Sequence, residues 1–162
     1  MSLQTSFRRS PIKTILLAGF VAGTLDMLGA LLVYAVMLKK ISAEKIVRGI
    51  ASGVFKKEAF SGGTEMIFYG VVFHFLIAFA FTVFYFLIFP YIPFLRKQKI
   101  LGGLLYGIFI WTVMNVIILP VIFPNRATIT VNAVLTGAPI LMIMIGLPLS
   151  FFASKYYGNK NN

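Results

Sequence analysis

Residues 14–38 read TILLAGFVAGTLDMLGALLVYAVML, twenty-five residues of which one, Asp26, is charged. As a helix this stretch rises about 37 Å at 1.5 Å per residue, enough to cross a hydrocarbon core of about 30 Å with some tilt. Asp26 then falls near the midplane, where an ionised carboxyl costs several kcal/mol unless it is neutral, paired or wet, roughly 3 kcal/mol on insertion scales. The acid is therefore either a buried hydrogen-bonding post or part of a functional site.

Three further apolar runs have spanning length, residues 64–89, 100–123 and 133–154. Inside lipid every backbone N–H and C=O must be bonded within the protein, so these runs are expected as helices rather than strands. The fold class is all-α, a single integral domain with four transmembrane helices. Composition agrees, because 59% of the 162 residues are hydrophobic, 12% are charged and the mean hydropathy is +0.93. There are no cysteines, which removes disulfides, thiolate metal sites and thiol catalysis.

The net charge of +11 raises the question of nucleic acid. The basic residues gather at the ends of the spans, however, so anionic lipid headgroups are the expected partner, with no nucleic acid. Arg8, Arg9 and Lys13 precede the first span, Arg96, Lys97 and Lys99 mark the middle turn, and Lys155 and Lys160 follow the last. These eight lie on the side of the termini, against seven on the other, six of them within residues 39–63. Because the eight sit in short flanks, both termini are expected to be cytoplasmic, with the first span an uncleaved anchor.

Residues 39–63 are too long for a simple turn. Ser42 can cap a helix over about 42–58 with Glu44 in its first turn. Lys45, Arg48, Ser52 and Lys56 fall on one face, and Ile46, Val47, Ile50, Ala51 and Val54 on the other. That pattern predicts an amphipathic helix in the headgroup plane. Gly49 and Gly53 weaken it in isolation, so docking on the bundle is an equal alternative.

Gly19 and Gly23 in the first span and Gly103 and Gly107 in the third form G-x-x-x-G pairs, which let a neighbouring helix approach closely. They are read as packing faces that invite partners, including a second copy of the chain. Pro139 and Pro148 are expected to kink the fourth span.

Counting from the side of the termini, Asp26 lies about 18 Å deep, His74 in the second span about 22 Å and Asn115 in the third about 22 Å. Thr24, Thr82 and Thr112 lie within a few turns of this layer. Two readings stand. The three polar residues bond to one another and fix helix register, or Asp26 and His74 form a protonatable pair lining a polar path or pocket. Glu65 and Arg126, near the opposite surface, are a candidate rim pair, for which an ordinary solvated rim is the plainer reading. One histidine and scattered carboxylates point to no metal site, and no pairing of nucleophile with base or cofactor motif stands out. A transporter, a channel-like subunit or a proton-responsive protein is therefore favoured over an enzyme. A non-catalytic scaffold or lipid-interacting protein is the alternative.

The chain resembles YagU-like bacterial inner-membrane proteins in short motifs: A-G-T-x-D over Ala22, Gly23, Thr24 and Asp26, residues 50–53 and 59–63, and His74. Leu104, Tyr106 and Gly107, then Met114 and Asn115, Leu119 and Pro120, and residues 146–148 are similar too. The resemblance implies a four-helix protein of the bacterial inner membrane and carries no assigned activity.

Overall fold

The computed structural model describes residues 10–125 and 128–158. Four of its helices are long and apolar enough to cross a membrane: α1 (Pro11–Met37), α3 (Glu65–Ile88), α4 (Lys99–Ile122) and α5 (Val131–Gly158), with the amphipathic α2 (Ala43–Phe55) between the first two. Single helical turns at Glu58–Ser61 and Pro93–Lys97 complete the connections, and no strand occurs among the described residues. The protein is a multi-pass, all-helical bundle. Span limits fall within four residues of those expected. Pro11, already suited to the first helical position, starts α1 early, and α5 runs four residues further, to Gly158.

Local chemistry explains the ends. The Ser42 hydroxyl accepts from the Lys45 N–H at 3.3 Å, capping α2, and Thr130 caps α5 by accepting from Ala133 N–H at 3.2 Å. Pro120 and Pro148 cannot bond the carbonyls of Val116 and Met144. Those carbonyls lie in the π-helical stretches Val113–Ile118 and Met142–Gly146, where the helix widens just before each proline. Pro139 lies inside a regular stretch of α5.

Small residues set which helices touch. A Cβ on Gly19 would collide with the Phe79 ring, and one on Gly23 would press on Phe75 and Ala78, so α1 lies tight against α3. On α4, a Cβ at Gly107 would strike the Met142 backbone, and one at Gly103 would come 2.8 Å from the Gly146 carbonyl oxygen, so α4 and α5 meet backbone to backbone. Both G-x-x-x-G faces are thus occupied within one chain, and the packing they were expected to offer a second copy is taken by α3 and α5. Gly29 of α1 faces Ile140 and Met144 of α5, which places α1 and α5 together in the middle.

Helices α3 and α4 meet differently, through rings. Phe84 stacks on Phe109 with centroids 5.7 Å apart, and the Tyr106 hydroxyl donates to the Phe81 carbonyl at 2.6 Å. On the side of the chain ends, Ala18, Ala22, Tyr85, Phe86, Phe89, Ile110, Leu149 and Ala153 form one close-packed core.

The α2 helix departs from the expected surface orientation. Arg48 and Ser52 are buried, whereas Val54 is 61% exposed. The reason is hydrogen bonding: Arg48 Nε donates to Glu44 at 2.7 Å and Nη1 to the Ala59 and Gly62 carbonyls at 2.9 Å each, holding the following loop against the helix. Ser52 bonds back to the Gly49 carbonyl at 2.7 Å. The helix docks on α3, where Gly70 admits the Val47 carbonyl into space that any side chain would fill.

Candidate functional site

Counted at 1.5 Å per residue along their helices from the same end, Asp26, His74 and Asn115 stand about 22, 21 and 24 Å deep, from the starts of α1 and α4 and the end of α3. They are level, and all three line a single cavity of about 400 Å³. Every long helix contributes to its wall. Asp26 comes from α1, His74, Ile77 and Phe81 from α3, Met114, Asn115, Ile118 and Ile122 from α4, and Leu141 and Ile145 from α5. The remaining wall is α2, through Ile46, Gly49, Ile50 and Gly53. Their spacing of three, one and three residues makes a single helical stripe.

The cavity is closed toward the chain ends and loosely covered at the other. Phe81 and Ile110 line its lower part, and beneath them Tyr106 bonds the Phe81 carbonyl within the close-packed core. At the other end α2 lies across the gap between α3 and α4. A Cβ on Gly49 would meet nothing within 4 Å, and one on Gly53 would meet only Ile122, at 4.0 Å. Lys56 fastens this cover to α4: its Nζ donates to the Ile122 carbonyl at 3.1 Å and sits 5.3 Å from the centre of the Phe123 ring. Lys56 and Lys39 are the non-glycine residues with positive φ among those described, and they bracket α2.

Among the described residues, His74 and Asn115 bond backbone carbonyls of α1 and α4. His74 Nε2 donates to the Gly23 carbonyl at 2.8 Å. A carbonyl can only accept, so the Nε2 proton is fixed and Nδ1 is an acceptor in the neutral ring. Asn115 Nδ2 donates to the Trp111 carbonyl at 3.0 Å, in the stretch where α4 widens. Thr82 and Thr112 bond back into their own helices, to Ala78 and Ile108, and the buried Thr24 hydroxyl has no partner among the described residues. Asp26 lies within electrostatic reach of His74. Its carboxyl forms no hydrogen bond or ion pair among the described residues, and it stays half-buried on the cavity wall. Compared with models of known protein families, with curated proteins and with solved structures, the chain matches none.

Of the expected rim pair, Glu65 accepts from the Gly63 N–H at 2.7 Å, and Arg126 lies outside the described residues. No group of three His, Asp or Glu side chains that could hold a metal ion gathers among the described residues. Two contributors escaped the sequence reading. The sequence pattern places Ile46 and Ile50 on the apolar face, reads Gly49 and Gly53 only as weakening the helix, and places Lys56 on the polar face, whereas in the structure the four line the cavity and Lys56 bonds to α4.

Proposed function

We propose that this protein is a small membrane carrier whose binding site is the cavity ringed by Asp26, His74 and Asn115, entered from the side covered by α2. The observation that carries this reading is the Asp26 carboxyl, held at mid-depth on a cavity wall with no hydrogen bond among the described residues. An acid with no structural bond to make is poorly explained as a register post, and intramembrane acids mark pathways and binding sites. The volume is within the range of small-molecule sites, and apolar walls with a few convergent polar groups are their usual composition. A core closed on one side and a thin cover on the other give one-sided access.

The scaffold reading draws on one fact, that His74 and Asn115 each bond a backbone carbonyl. It leaves Asp26 without a role. Both termini are taken as cytoplasmic from the basic flanks, in a bacterial inner membrane, so that α2 and the cavity entrance face outward. A relationship to YagU-like proteins belongs to the same proposal and rests on the short motifs alone.

The absence of cysteine makes the test direct. In membrane vesicles, Ile118→Cys on the cavity wall should react with an impermeant thiol reagent from the α2 side only. Leu149→Cys, in the closed core, should stay unreactive from both sides. An Ile118→Cys protein that is folded but unreactive from either face refutes the cavity as an entry route.

A further inference from the structure

We propose that the ligand of this cavity is a lipophilic amine, bound as its ammonium ion by Asp26 with its apolar body lying along α2 and α4; the proposal rests on the carrier reading above. The argument is an inventory of what the wall can give and accept. Among the described residues lining the cavity, Asp26 is the one acid and His74 the one base, with neither lysine nor arginine. The His74 donor is already committed, because Nε2–H points to the Gly23 carbonyl, and the neutral ring has only an acceptor left. An ionised Asp26 accepts and does not donate. With Asp26 ionised and His74 neutral, these two groups present acceptors and one negative charge to whatever enters, beside the Asn115 amide.

That disfavours anionic heads, which would sit beside a carboxylate in low dielectric with neither lysine nor arginine among the described lining residues to pair them. Lys56, at the end of the cover, already donates to the Ile122 and Gly53 carbonyls and lies over the Phe123 ring. Sugars and other polyols would leave most of their hydroxyls unpaired against isoleucine, at a cost of about 1–3 kcal/mol for each buried group. An ammonium supplies the N–H donors that Asp26 and His74 Nδ1 lack, and neutralises the carboxylate in the same step. Between this layer and the cover the wall includes Ile118 and Ile122 of α4 and Ile46 and Ile50 of α2, so the rest of the molecule must be apolar.

The test uses Ile118→Cys in the full chain, reconstituted in lipid nanodiscs, with Leu87→Cys on the lipid-facing side of α3 as control. Equal concentrations of n-decylamine, n-decanol and n-decanoate are compared as protectants against a small thiol reagent. Decylamine should slow labelling at residue 118 several-fold, leave residue 87 unchanged and lose its effect in Asp26→Asn, while decanol and decanoate do little. Equal protection by decanol would show that the chain length alone binds, and stronger protection by decanoate would reverse the sign of the site. Either overturns the amine assignment and leaves the cavity reading intact. An unreactive Ile118→Cys overturns both. The comparison of the three amphiphiles needs no substitution at Asp26, so it decides the matter even if that variant folds poorly.

Discussion

Gly49 lies in mid-α2, lines the cavity and has nothing within 4 Å of where a Cβ would stand. Glycine inside a helix is about 1 kcal/mol less favourable than alanine, and leucine ranks close to alanine. Because the space is empty, Gly49→Leu keeps that gain without a clash. The folded state should become about 1 kcal/mol more stable, roughly a fivefold shift in the folded-to-unfolded ratio. Its isobutyl group enters the cavity between the cover and the polar layer. Stability can be followed through the fluorescence of Trp111, the one tryptophan in the chain, and access through the labelling rate of Ile118→Cys in the same background. The expected result is a protein at least as stable as the parent and several-fold slower to label. Destabilisation by more than about 1 kcal/mol would mean that the space is not there. Unchanged labelling in a stable protein would mean that α2 does not cover the route.

Three other outcomes follow from the same geometry. Gly70→Ala pushes a methyl group into the Val47 carbonyl and should cost about 1–3 kcal/mol, seen as faster hydrogen exchange in α2 while α4 and α5 keep their protection. Asp26→Asn removes no hydrogen bond among the described residues, so unfolding should shift by less than about 1 kcal/mol while ligand protection disappears; a protein that no longer folds would assign Asp26 a structural role instead. Arg48→Met loses charge-assisted bonds to the Ala59 and Gly62 carbonyls, at about 1.5–3 kcal/mol each, and should open residues 56–63 to exchange without changing the depth of α3.

The spans were legible in the sequence because crossing a hydrocarbon core is a requirement of length and apolarity, and both are local properties of a run of residues. A similar depth for Asp26, His74 and Asn115 follows from the sequence, since helix rise and alternating direction convert sequence distance into depth. Which way those side chains turn does not. Depth fixes one coordinate, whereas rotation about each helix axis depends on which neighbour its small residues admit. For α1 that is decided by Gly19 and Gly23 against Phe79 and Phe75. The same limit applies to α2, whose polar stripe looked suited to headgroups. A buried Arg48 becomes favourable only because two loop carbonyls, eleven and fourteen residues away, need a donor.

By itself, then, the sequence determined a four-span, all-helical membrane protein with one acid at mid-depth, because the bilayer imposes the same length and hydrogen-bonding demands on any chain that crosses it. Tertiary structure alone decided that the glycine faces are used up between helices of one chain, that α3 and α4 part around a cavity, and that α2 lies across it. Those outcomes come from contacts between residues far apart in sequence, where a missing side chain at Gly70 or Gly146 determines how closely two backbones can meet.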